Sequence, residues 1–140
     1  MPPTILVVED NSADVMLLRV ALDRLKEEYI LDVLRDGDEA LQFVDEHRSG
    51  LRRLDPCVIV LDLHLPRHDG LEILRAIKRA PALAHIHVVI LTSLATPSEE
   101  FHVQASGGTF LEKPAHLDGY IRLAERLIEI CKNTEPVGVS

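Results

Sequence analysis

Positive charge is scarce in this sequence: 15 Lys and Arg stand against 23 Asp and Glu, for a net charge of −8 and a pI near 5.3. A protein held to DNA or RNA through phosphates wants a basic face, and so does one docked on an anionic membrane, so neither partner is expected. Long apolar runs are missing too; none approaches the roughly 20 residues needed to span a bilayer. The start, Met1-Pro2-Pro3-Thr4, lacks the basic region and apolar stretch of a signal peptide. Cysteine is limited to Cys57, in a strand-like run, and Cys131, in a helical pattern. Both read as small buried hydrophobes rather than a disulfide pair, and a reducing cytoplasm is the expected compartment. Internal repeats, low-complexity segments and a second domain are absent, and nothing after Lys132 reads as a further folded unit.

What is present is a chain of 140 residues, 46% hydrophobic, enough for one domain with a real core. Short apolar runs alternate with longer amphipathic stretches. Ile5-Leu6-Val7-Val8 is continuous rather than alternating, as in a strand buried on both faces. Asn11 and Ser12 offer a helix N-cap, with Asp14 in the first turn, and Val15, Leu18, Leu22 and Leu25 follow at helical spacing. Residues 29–34 predict a second strand and 39–47 a second helix, followed by a polar connector over 48–56. Cys57-Val58-Ile59-Val60-Leu61 predicts the central strand. A helix opens at Gly70 and closes before Pro81, a strand covers 87–91, and a short helix starts at Pro97 and ends at Gly107-Gly108. Residues 109–111 predict a fifth strand and 116–132 a last helix. One domain over 1–132 with a flexible tail over 133–140 is the expected organisation. Strict βα alternation implies a doubly wound parallel five-stranded sheet with right-handed crossovers.

In such sheets ligands bind beyond the carboxyl ends of the strands, where the strand order reverses. There the sequence places Glu9 and Asp10 after the first strand and Asp62 after the third. Thr92 and Ser93 follow the fourth, and Glu112, Lys113 and Pro114 the fifth. With order 2-1-3-4-5, Glu9, Asp10 and Asp62 converge on one basin flanked by Thr92 and Lys113. Two carboxylates about 4 Å apart repel by roughly 4 kcal/mol at an effective dielectric near 20. Lys113 offsets part of this, and a hard divalent cation, Mg2+ above all, would offset more and hold an anion. A carboxylate beside such a metal can act as a nucleophile on phosphorus.

Glu9-Asp10, Asp62 with Leu65-Pro66 and Asp69-Gly70 behind it, Thr92-Ser93 and Lys113-Pro114 resemble the signature of response-regulator receiver domains of two-component signalling. The resemblance runs from about Thr4 to Lys132. It implies the flavodoxin-like (βα)5 receiver fold and a phosphoacceptor signalling domain rather than an enzyme. It further implies that Asp62 takes a phosphoryl group from a histidine kinase. Glu9, Asp10, Asp62 and the backbone carbonyl of His64 would hold Mg2+. Thr92 would bond a phosphoryl oxygen and Lys113 pair with the group. Phe110 takes the place of the family's switch aromatic, and the Lys113–Pro114 bond would be cis, as it is in the family. The connector over 48–56 and Asp62-Leu63-His64-Leu65-Pro66 most resemble stand-alone receivers that serve phytochrome-type histidine kinases.

The sequence departs from the family's polar choices at His64, two residues past Asp62, and at Leu94, two past Thr92. Leu94 offers no group to orient an attacking water, so slow loss of the phosphate is expected. A magnesium-dependent phosphatase of the haloacid-dehalogenase type also uses an Asp nucleophile, but wants a second acid where His64 stands. A degenerate receiver, binding partners without phosphorylation, should have lost the acidic pair or the lysine, and both are intact. The last helix carries two apolar stripes: Leu117, Ile121, Ala124, Ile128 and Cys131, then Tyr120, Leu123, Leu127 and Ile130. One suffices to dock on the sheet, so the surplus predicts an interface. Since receivers often pair through the fourth helix, fifth strand and fifth helix, a homodimer is expected.

Overall fold

A computed structural model of the chain describes residues 2–50 and 55–134. Five strands and five helices alternate: β1 (Thr4–Val8), α1 (Ser12–Arg24), β2 (Ile30–Leu34), α2 (Gly37–Arg48), β3 (Val58–Asp62), α3 (Gly70–Arg79), β4 (His87–Thr92), α4 (Pro97–Ala105), β5 (Thr109–Glu112) and α5 (Leu117–Lys132). All strand pairs are parallel and the order is β2-β1-β3-β4-β5, as the alternation predicted. The middle of the 48–56 connector and residues 135–140 of the expected tail lie outside the described residues.

The continuous apolar runs have their reason in the two-sided core. Alternate residues point to opposite faces of a strand. Leu6, Val8, Ile59, Leu61, Val88 and Ile90 join the core beneath α2, α3 and α4. Ile5, Val7, Val58, Val60, Val89 and Leu91 join the core beneath α1 and α5. Every residue of β3 is buried, whereas β2 and β5, at the sheet's edges, are mostly half-exposed. Full burial of one such Leu or Ile contributes about 1.5–3 kcal/mol.

Local chemistry sets the helix starts. Asn11 Oδ1 accepts from the amides of Ala13 and Asp14, Asp36 caps α2 through the Glu39 amide, and Asp69 caps α3 through the Leu71 amide. Thr96 and Glu99 form a reciprocal capping box on α4, with Pro97 in its first turn. Gly70 has a second reason to be glycine: a Cβ there would run into the Asp62 carbonyl oxygen and approach Leu63 Cα to 2.7 Å. Only a residue without a side chain lets α3 start this close behind the end of β3.

Three expectations are corrected. First, Cys57 and Cys131 form a disulfide, with Cα atoms 5.0 Å apart across 74 residues of sequence. Both are half-buried at the margin of the core beneath α1 and α5, and only the packing of α5 over the start of β3 brings the two sulfurs together. Second, no peptide bond among the described residues is cis, so Lys113–Pro114 is trans, the form X–Pro bonds prefer by about 0.5–1 kcal/mol. Lys113 reaches the site without isomerisation because its amide continues the β4–β5 ladder onto the Thr92 carbonyl at 2.9 Å. Third, the second stripe of α5 is not surplus. Tyr120, Leu123 and Leu127 are buried in the same core as Ala124 and Ile128, and Leu117, Ile121, Ile130 and Cys131 pack at its margin.

Candidate functional site

The pairing of β1 with both β2 and β3 opens a crevice at the carboxyl ends of the strands, where Val8 lies beside Leu61 and Leu34. Chain beyond β1 and β3 must enter it, and the sequence supplies acids at both points. Glu9 is only 5% exposed and Asp62 only 7%, and Thr92 is 1% exposed at the end of β4. Among the described residues these three are the polar or charged residues that are buried as whole residues. Buried polar groups cost free energy unless satisfied, so their concentration at one place calls for a functional reason.

Glu9, exposed Asp10 and Asp62 each offer a carboxylate oxygen, and these atoms lie within 4.8 Å of one another. Lys113 enters from the end of β5. Its Nζ is 2.7 Å from Glu9 Oε1, 2.8 Å from Asp14 Oδ2 and 3.3 Å from Asp62 Oδ2. The outer oxygens are also held: the Asn11 amide donates to Glu9 Oε2 at 3.1 Å, and the His64 amide donates to Asp62 Oδ1 at 3.1 Å. Three carboxylates thus share one ammonium, with Asp10 beside two of them.

The electrostatics follow. Burial pushes the Glu9 carboxyl up to about 7; the Lys113 hydrogen bond lowers it by less, and the Asp62 charge adds to the rise. Burial alone would lower the Lys113 ammonium, but hydrogen bonds to Asp14 and Glu9 and the charges of Glu9 and Asp62 raise it above the ordinary lysine range. Three clustered oxygen donors, one of them driven toward neutrality, suit a hard cation such as Mg2+ or Mn2+.

Thr92 Oγ1 donates to the Leu94 carbonyl at 3.1 Å and accepts from the Leu94 amide at 3.3 Å. The His64 ring also reaches that carbonyl, with Nε2 at 3.1 Å, and lies 3.7 Å from Glu99. His64 and Leu94 are therefore joined across the mouth of the site. Phe110, beside Ile90 in the sheet, is half-buried against the core beneath α2, α3 and α4. The other histidine of the β3–α3 loop, His68, bridges Asp38 at 2.8 Å and Glu72 at 3.3 Å, tying that loop to α2 and α3.

The residue missed by sequence reasoning is Asp14. Its first-turn position explained it as a favourable acid at a helix start. Nothing local signals its bond to Lys113, 99 residues away.

The model of the response regulator receiver domain family matches residues 5–125. The probable methanogenesis regulatory protein FilR2 of Methanothrix harundinacea (strain 6Ac) is 38% identical over 130 residues, covering 91% of this chain and 83% of that protein. Response regulator Rcp1 of Synechocystis sp. (strain ATCC 27184 / PCC 6803 / Kazusa) is 34% identical over 129 residues, covering 89% and 85%. The Mn(2+)-bound form of response regulator Rcp1 superposes with a TM-score of 0.80 at 31% identity, covering 96% of this chain and 97% of that one. The phosphorylated cyanobacterial phytochrome response regulator RcpA superposes with a TM-score of 0.82 at 30% identity, covering 96% and 97%. The fold, the crevice and these matches agree: this chain belongs to the response regulator receiver domain family.

Proposed function

We propose that Asp62 accepts a phosphoryl group from the phosphohistidine of a partner histidine kinase, and that the phosphorylated domain signals through protein contacts or passes the group on. Phosphoacceptor signalling is the work of the receiver family to which the chain belongs. The assignment to Asp62 has one carrying observation: it is a buried carboxylate held between an ammonium and two further acids at the topological switch point.

In this reading an Asp62 carboxylate oxygen attacks phosphorus, the P–N bond to the histidine ring breaks, and an acyl phosphate forms on Asp62. Receiver domains bind a divalent metal, here Mg2+, and Glu9, Asp10, Asp62 and the His64 carbonyl would hold it. An ion held there would supply positive charge to the phosphoryl oxygens. Lys113 would pair with the same oxygens as a charge-assisted donor. Thr92 would give up the Leu94 carbonyl to donate to a phosphoryl oxygen, and Phe110 would turn inward behind it. The likeness to RcpA favours a phytochrome-type kinase in the cytoplasm. A homodimer through α4, β5 and α5 now rests on Phe101, 66% exposed on α4, because the α5 stripe that suggested it is buried. No helix among the described residues is long and apolar enough to cross a membrane.

Incubation with a small-molecule acyl phosphate and Mg2+, followed by intact-mass analysis, tests the reading. Wild type should gain the mass of one phosphoryl group, and Asp62→Asn should gain none. Equal incorporation by both would show that another residue is the acceptor. Turnover of phosphate monoesters at enzyme-like rates would favour the phosphatase reading instead.

A further inference from the structure

Lys113 has three carboxylate partners, and they differ in kind. Glu9 and Asp62 belong to the cluster that can hold a metal; Asp14 does not. Asp14 lies on the first turn of α1 and is half-buried against the site. It lines the same small internal cavity as Glu9, Asp62, Lys113 and Tyr120.

A divalent cation entering among Glu9, Asp10 and Asp62 meets the Lys113 ammonium already seated on two of those ligands. Like charges at that range repel strongly in a partly dry site. The ammonium must withdraw without becoming an unpaired buried charge. Asp14, at 2.8 Å, is the partner it can keep. Tyr120, buried on α5, backs this arrangement, its phenol pushed up to about 12 by burial and by the Asp14 charge.

We propose that Asp14 is a positioning residue that retains Lys113 beside the basin when the metal displaces it from Glu9 and Asp62, and so sets the affinity for the cation. The proposal rests on the reading of Glu9, Asp10 and Asp62 as metal ligands. The competing account gives Asp14 only a helix-start role, in which its charge favours the α1 N-terminus. A charge acting only there would change stability but would not act through Lys113.

Calorimetric titration of the full chain with Mg2+ separates the two. The set is wild type, Asp14→Asn, Asp14→Glu, Lys113→Met and the Asp14→Asn/Lys113→Met pair, with Tm recorded for each. Asp14→Asn should weaken Mg2+ binding about 10-fold, the scale at which partners of metal ligands act. Asp14→Glu should recover most of that loss. With Lys113 already replaced, Asp14→Asn should change the Kd by less than about 2-fold, because its effect runs through the ammonium. Unchanged affinity in Asp14→Asn would overturn the proposal. So would a loss that persists undiminished without Lys113, which would make Asp14 a source of general field. Failure of wild type itself to bind Mg2+ would be a different result, removing the metal reading and this proposal with it.

Discussion

The two ends of the sheet are built on opposite terms. At the amino end, the chain entering β3 is tied by Cys57 to Cys131 near the end of α5, and the Cys57 amide donates to the Thr4 carbonyl at 2.9 Å. Lys78 Nζ donates to the Ala84 and Ile86 carbonyls at 3.3 and 3.0 Å. Those groups are paired with backbone, and the His87 ring meets the Thr109 hydroxyl at 2.8 Å across the starts of β4 and β5. At the carboxyl end, Glu9, Asp14 and Asp62 crowd around Lys113, and Asp10 adds a further acid beside Glu9 and Asp62. One end holds the fold together; the other keeps an electrostatic excess that a cation and a phosphoryl group can use. Adjacent residues fall on either side of this division: Leu61 is core, and Asp62 is site.

The sharpest way to break the comparison is to exchange roles along β3. Asp62→Asn should abolish phosphoryl incorporation while changing folding stability by no more than about 1–2 kcal/mol, in the stabilising direction, as relief of a strained functional site commonly does. Leu61→Ala should do the reverse. It should cost about 2–5 kcal/mol in chemical denaturation while the folded fraction still takes up phosphate. A large loss of stability in Asp62→Asn would show that the acceptor is also structural and blur the division.

Next comes the covalent tie. Replacing Cys57 by Ala should lower stability by about 2–4 kcal/mol with little change in Mg2+ affinity. Thiol titration of the unfolded, unreduced chain should find no free thiol. Two titratable thiols would mean that the pairing is absent from the protein in solution, and the predicted stability loss would go with it.

A smaller effect should appear in pH. Folding raises the Glu9 carboxyl from 4.5 to about 7, so the metal-free fold binds this proton more tightly than the unfolded chain does. That contribution is full below pH 4.5 and is lost as pH rises through about 7. Denaturation of metal-free wild type and Glu9→Gln across this range should show wild type losing stability relative to the variant as pH rises. A constant difference would mean that Glu9 is not held up by its burial.

The smallest expected change concerns the phosphate's lifetime. We hypothesise that Leu94, 80% exposed and without a polar group, together with His64 bonded to the Leu94 carbonyl, leaves no oriented water for hydrolysis. Leu94→Glu or His64→Asn should then shorten the half-life of phosphorylated protein several-fold, in line with the low end of general acid–base contributions. Faster loss in wild type than in both variants would refute it.

Much of this was legible in the chain because it is local. Continuous apolar runs marked strands buried on both faces, and Asn11 marked the start of the first helix, where a side-chain acceptor is needed. The residue types after each strand placed Glu9, Asp10, Asp62, Thr92 and Lys113 at the carboxyl end, since strand direction in a parallel sheet sends every such residue to the same side. Periodicity carries no information about partners distant in sequence. Only the tertiary structure joined Asp14 to Lys113, closed Cys57 onto Cys131 and buried the second stripe of α5 beneath α1. Each depends on how α1 and α5 settle against one face of the sheet, and that is decided by side chains meeting across space rather than along the chain.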